Sequence, residues 1–217
     1  PLEEEQIQLF FSDIEPLAAS KVLVRLENET LSIGQRILSQ GLQFTVRGQD
    51  KIGIIGPNGV GKSTLLAKLH QLLSGKREIL LGFMPQDYQE TLQLDLSPVE
   101  FLSQTGHKEE IQKIQSHLAS LNFSYPEMHH QIHSLSGGQQ GKLLLLNLVL
   151  RKPNFLLLDE PTRNFSPTSQ PEIRKLFANY SGGLVTVSHD RRFLKEVCTS
   201  IYSLTEHGLE VVDLQDL

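Results

Sequence analysis

Gly56-Pro57-Asn58-Gly59-Val60-Gly61-Lys62-Ser63-Thr64 is the stretch that decides how this chain folds. The apolar run Lys51-Ile52-Gly53-Ile54-Ile55 precedes it and the helix-like Leu65-Leu66-Ala67-Lys68-Leu69 follows, so strand, loop and helix stand in the order of a phosphate-binding P-loop. A backbone that wraps a phosphate chain must aim its N–H groups inward, and side chains would obstruct that approach. Gly56, Gly59 and Gly61 meet this need. Lys62 is then placed to put a positive charge on the β- and γ-phosphates, and Ser63 to offer its hydroxyl to Mg²⁺. The helix that begins there adds the positive end of its dipole.

Strand and helix signals continue on both sides. Upstream, Lys21-Val22-Leu23-Val24-Arg25-Leu26 and Leu42-Gln43-Phe44-Thr45-Val46 alternate as half-buried strands and read as an antiparallel pair, with Gly48-Gln49-Asp50 as the turn into the buried strand. Downstream, Glu78 to Met84 reads as a strand that stops at Pro85-Gln86. From about Asp87 to His133 the pattern turns helical without an intervening strand. Ser97-Pro98-Val99-Glu100 has the form of a capping box, and Ile111, Ile114, Leu118 and Leu121 share one face of a second helix. His129, His130 and His133, near the end of this insertion, have no acidic or cysteine partner at ligand spacing and read as surface polarity.

Beyond the insertion, the densely apolar Leu143–Leu150 is expected in a helix buried on most faces, and Phe155-Leu156-Leu157-Leu158 in a parallel strand covered on both sides. Asp159-Glu160 falls at the carboxyl end of that strand, where open α/β sheets keep their ligands. Ser169-Gln170-Pro171-Glu172 is expected to cap a helix to about Tyr180, Leu184–Val187 to form the last parallel strand, and Arg191–Val197 a helix. Ile201–Leu204 and Leu209–Val212 read as a closing hairpin around His207-Gly208.

Composition limits the partners. The 217 residues, 39% hydrophobic and 21% charged, can bury one sizeable core with a smaller lobe. A net charge of −5 argues against a broadly basic nucleic-acid face. The single cysteine, Cys198, excludes an internal disulfide and reads as a small buried hydrophobe suited to a reducing compartment. No apolar run is long enough to span a bilayer and no signal peptide is evident, so the expectation is a cytoplasmic protein with no direct membrane insertion. The chain begins at Pro1, not at a methionine, which points to a piece of something longer.

A P-loop alone leaves kinases, GTPases, helicases and transport-type ATPases open. Leu135-Ser136-Gly137-Gly138-Gln139 narrows the choice, because two glycines at the start of a helix expected over Gln139–Leu150 expose backbone N–H groups as a second anion-binding terminus. With this stretch the chain resembles the ATP-binding cassette (ABC) superfamily, whose signature is Leu-Ser-Gly-Gly-Gln. The resemblance implies an α/β P-loop NTPase cassette with a parallel core sheet, an N-terminal antiparallel β subdomain and a small helical lobe. The expected bounds are a linker-like start over residues 1–20 and the ATPase domain over 21–217, with the lobe at about 87–138.

The resemblance also implies site roles. In the family the signature closes on the nucleotide held by the P-loop of a second cassette, so residues 135–139 would act in trans. Gln86 matches the family's Q-loop, which helps hold Mg²⁺ and the attacking water, and Asp159 matches the Walker B aspartate that organises the Mg²⁺ shell. Glu160 matches the catalytic glutamate that orients or deprotonates water. His189, in Val187-Ser188-His189-Asp190, matches the switch histidine that contacts the γ-phosphate. ATP and Mg²⁺ are the implied substrate and cofactor.

Leu158-Asp159-Glu160-Pro161-Thr162, with Val187-Ser188-His189-Asp190-Arg191-Arg192-Phe193-Leu194, narrows the resemblance to the ABC-F group. These are paired cassettes without membrane domains that act on the ribosome and include antibiotic-resistance factors. A second cassette, and the ribosome, are the implied partners. The rival readings are the nucleotide-binding subunit of a transporter with a membrane permease, and a nucleotide-gated scaffold with little turnover. Two departures stand out. Ile33 occupies the place of the aromatic residue that stacks on adenine, and Arg163-Asn164-Phe165-Ser166 replaces the usual Asn-His-Leu-Asp, so an aspartate that communicates across the dimer is absent.

Overall fold

A computed structural model describes residues 9–217, and the mixed stretch Pro1 to Glu5 lies outside them. The all-apolar segment in the middle of the chain forms β5 of a six-stranded sheet. In chain order the strands are β1 (Val22–Ile33), β2 (Arg36–Arg47), β3 (Lys51–Ile55), β4 (Leu81–Met84), β5 (Phe155–Asp159), β6 (Gly183–Val187), β7 (Ser200–Thr205) and β8 (Gly208–Val212). β1 and β2 pair antiparallel as a separate ribbon, and the main sheet runs β4-β5-β6-β3-β7-β8. Every residue of β5 and β6 is buried, as a parallel strand covered on both faces requires.

Helices cover the two faces. α1 (Lys62–Ser74) packs with the β1–β2 ribbon on one side, where Leu65, Leu69 and Leu73 meet Leu42 and Val46. On the other side lie α5 (Gly137–Arg151), α6 (Gln170–Ala178) and α7 (Arg191–Val197). The lobe contributes α2 (Pro98–Leu102), α3 (Lys108–Ser120) and α4 (Tyr125–His129). The Ser97 capping box closes in both directions, and Ser124 with Glu127 makes a second one at α4.

Residues 9–20 lie against the domain. Leu9 is buried in the core, the Phe11 ring sits 4.8 Å from that of Tyr180, and the Leu17 carbonyl accepts from Gln49 Nε2 at 2.9 Å.

Four sequence expectations change. The strand expected from Glu78 begins at Leu81, because Ile79 N–H closes a turn on the Lys76 carbonyl and Asn154 Oδ1 takes the Leu80 N–H at 2.8 Å. The helix of the signature starts at Gly137, two residues before Gln139. Ser169 is in helical conformation and makes no capping bond, so no capping box starts α6. β6 is not the last parallel strand: β7 runs parallel to β3, with Gly53 opposite Ile201. A Cβ at Gly53 would come within 2.7 Å of Ile201 Cδ1 and 2.6 Å of Leu194 Cδ2, so a bare glycine there lets β7 and α7 close on β3.

Candidate active site

Topology gathers the site. β3, β5 and β4 all point the same way as β6, and in register Asp159 lies beside Val187 and Met84 beside Leu158. The P-loop after β3, His189 after β6, Asp159-Glu160 at the end of β5 and Gln86 after β4 therefore emerge along one edge of four adjacent strands. They line a cleft of about 250 Å³.

The loop is built as its composition demands. Gly61 has φ 108° at the start of α1, and a Cβ there would meet Leu31 and Leu38 at 3.0 Å. Among the described residues no side chain caps this helix start, so the N–H groups of its first turn remain available to an anion. Gly56, Pro57, Asn58, Gly59 and Val60 complete the turn, with Val60 N–H reaching the Pro57 carbonyl at 3.4 Å. Ser63 and Thr64 face the cleft from α1.

Lys62 is buried, and its Nζ donates to the Gly56 carbonyl and, at 3.2 Å, to that of Pro57. Burial holds this ammonium below its usual range, against the pull of Glu160 and Asp159. Loop carbonyls occupy donors that phosphate oxygens would take over. His189 Nε2 stands 3.3 Å from Lys62 Nζ, 3.1 Å from Asn58 Oδ1 and 3.5 Å from Glu160 Oε1.

Asp159 Oδ2 accepts from Ser63 Oγ at 2.9 Å, whereas Asp159 Oδ1 is buried and has no hydrogen-bond partner among the described residues. A buried acceptor left unpaired costs about 1–3 kcal/mol. Burial also pushes the Asp159 carboxyl above its usual range in spite of Ser63, Lys62 and Arg163. A hard divalent cation beside Ser63 and Asp159 would satisfy the orphaned oxygen, so these residues fit Mg²⁺, with Gln86 at the same cleft.

Glu160 is a non-glycine residue with φ 50°, a conformation that costs roughly 1–3 kcal/mol and persists where surroundings enforce it. Its own N–H is held by the Val187 carbonyl at 2.8 Å, and its Oε2 accepts the His189 N–H at 3.2 Å. From this position Glu160 lines the cleft.

The signature lies elsewhere. Leu135 is buried, Ser136, Gly137 and Gly138 are exposed, and none of residues 135–139 lines the cleft. Ser136 Oγ caps α5 by accepting the Gln139 N–H at 3.2 Å, and Gln139 Nε2 donates to Glu127 Oε2 of α4. An added Cβ at Gly137 or Gly138 would meet open space. The P-loop, Gln86, Asp159, Glu160 and His189 thus share one cleft, and the signature presents a separate open face.

The ABC transporter family profile matches residues 39–163, more than half of the chain and spanning P-loop, signature and carboxylate pair. The chain belongs to the ABC transporter family. Among relatives of this cassette, "Probable ATP-binding protein YheS" of Escherichia coli (strain K12) is 30% identical over 94% of the chain and 33% of its own length. "ABC transporter F family member 2" of Arabidopsis thaliana is 25% identical over 96% of the chain and 32% of its own length, in keeping with the ABC-F resemblance. The cassette therefore spans about a third of the curated relatives it matches. In fold it matches a dimeric post-hydrolysis structure of the ATP-binding cassette MJ0796 bound to ADP and Pi, with TM-score 0.71 and 20% identity over 88% of this chain and 98% of that one.

Leu38, Arg163 and Val187 line the cleft although the sequence reading gave them no site role. Leu38 reaches the cleft beside Ile33 because the β1–β2 ribbon folds back on itself, and Arg163 reaches it from the turn after Glu160. Ile33, 60% exposed, stands where a base platform is expected. Ile33→Tyr is expected to tighten ATP relative to GTP by a modest factor, bounded by the ~1–3 kcal/mol of a base stacked on an aromatic ring. Competition of the two nucleotides in calorimetry reads this directly. Unchanged selectivity would remove residue 33 as the platform.

The His-rich end of the lobe is locally paired. His129 Nε2 lies 3.0 Å from Gln115 Nε2, and His133 Nε2 lies 2.6 Å from Gln131 Oε1.

Proposed function

We propose that this cassette binds and hydrolyses ATP with Mg²⁺ and works by closing on a second cassette, in an ABC-F-type cytoplasmic protein that acts on the ribosome. The observation that carries the reading is the separation of one phosphate cleft from one exposed signature face, each incomplete by itself. Lys62 and the first turn of α1 bind and orient the triphosphate, with Ser63 and Asp159 at the place for Mg²⁺. When bound, Mg²⁺ neutralises charge on the phosphates. Glu160 accepts a proton from the attacking water, and His189, tied to Glu160 through its own N–H, holds the γ-phosphate side. Ser136, Gly137 and Gly138 supply the second anion grip to the partner's nucleotide.

A nucleotide-gated scaffold is the second reading. It is favoured by Ser166, whose hydroxyl is engaged locally with Thr168 at 3.0 Å and Ser169 at 3.1 Å, where the group carries an aspartate. Steady-state phosphate release by the full-length protein that carries this chain decides between them. Turnover above the protein-free rate is the expected result, and turnover equal to it would leave the scaffold. Co-sedimentation with ribosomes is expected in the ATP-bound state, and co-purification with a membrane permease instead would assign the cassette to a transporter.

A further inference from the structure

The turn after Glu160 is anchored on both sides of Arg163, at Thr162 and at Phe165. Arg163 N–H bonds the Glu160 carbonyl at 3.2 Å, and Phe165 N–H bonds that of Thr162 at 3.2 Å. Thr162 is buried and donates its hydroxyl to Asp190 Oδ2 at 2.9 Å, at the start of α7. The Phe165 ring packs on α5 so closely that a Cβ at Gly141 would lie 2.7 Å from it. Arg163 itself is exposed and lines the phosphate cleft. Among the described residues its guanidinium makes no hydrogen bond or close ion pair, although its charge is felt at Asp159.

The charges of the cleft explain what such a cation does. Lys62 and Arg163 stand against Asp159 and Glu160, so without Arg163 two carboxylates would face one ammonium. A nucleoside triphosphate with its metal is net negative, and an uncompensated carboxylate would repel it. Lys62 enters after β3 and Arg163 after β5, with β6 between, so the two cations reach the cleft from the ends of different strands. A guanidinium also offers a planar fork that pairs with two phosphate oxygens at once, which an ammonium does not.

The geometry points to Arg163 as a further binding residue for the terminal phosphate of a nucleoside triphosphate, supplied by the same chain and reaching the cleft from a different strand end than Lys62. This deepens the cassette reading and rests on it. Because its neighbourhood is Asp159 and Glu160, Arg163 acts on the terminal phosphate and favours the triphosphate over the diphosphate.

Calorimetric titration of the wild-type chain, Arg163→Asn and Arg163→Lys with MgATP and with MgADP tests it. Arg163→Asn is expected to weaken MgATP by about tenfold, as the loss of one charge-assisted contact at an open rim would, and to weaken MgADP by less than about twofold. Arg163→Lys keeps the charge without the fork and is expected to fall between. Equal loss for both nucleotides, or no loss, overturns the assignment while the cassette reading stands. A wild-type chain that binds neither nucleotide overturns the cassette reading and the assignment together.

Discussion

Glu160→Gln is expected to reduce ATP hydrolysis by about two to four orders of magnitude, the usual worth of a positioned general base, while MgATP binding survives. Glutamine keeps the length of the side chain and an oxygen for the His189 N–H, which Glu160 Oε2 now accepts at 3.2 Å. It lacks the carboxylate that takes a proton from water. The same left-handed backbone must be enforced for either residue, so the change is chemical more than structural. With hydrolysis blocked, ATP held by the P-loop on one side and by Ser136, Gly137 and Gly138 on the other favours the closed pair by linkage, and ADP does not. Sedimentation of a protein with both cassettes is expected to show compaction or association in MgATP that Ser136→Arg abolishes. Hydrolysis at the wild-type rate would remove Glu160 as the base, and closure indifferent to Ser136→Arg would remove the signature from the nucleotide.

Lys62→Ala is expected to weaken MgATP by about a hundredfold to a thousandfold, since it deletes charge-assisted bonds worth roughly 1.5–3 kcal/mol each. The loss has two sources. The buried ammonium no longer reaches the phosphates, and Asp159 and Glu160 are left facing the triphosphate with Arg163 alone to balance them. Alanine is a good helix former at the first position of α1, so the element itself persists. Its removal also frees the Gly56 and Pro57 carbonyls that Lys62 now holds. Calorimetry with MgATP measures the effect, and unchanged affinity would sink the P-loop assignment.

The P-loop and the Asp159-Glu160 pair were legible because their chemistry demands particular side chains at fixed offsets from strand ends, whereas Gln86 and His189 were placed by the family resemblance. A lysine and serine after glycines, and paired carboxylates after an apolar run, announce their places without any knowledge of the partner strands. What was not legible depends on distant chain. The alternation of Ile201–Leu204 is the same whether the strand ends a free hairpin or joins β3, and only the bare Gly53, far away in sequence, allows the second. The start of β4 is set by Asn154, which supplies the acceptor for Leu80 N–H. Ser169 carries the letters of a capping box but sits in helical conformation, where its hydroxyl bonds Ser166 instead. Arg163 is an ordinary exposed arginine until the anchoring of Thr162 and Phe165 aims the turn between them.

The open placement of Ser136 to Gly138, away from the cleft of the same chain, has a kinetic consequence. On the proposed closure of one cassette on another, separate copies are expected to show a rate that saturating nucleotide does not saturate: turnover per molecule climbs with protein concentration, because the productive species is second order in chain. Joining two cassettes in one polypeptide makes the encounter first order, at an effective concentration on the order of millimolar for a short flexible connection. Dilution is then expected to leave the specific rate constant, with the length and stiffness of the connecting segment setting how often the phosphate cleft meets a signature.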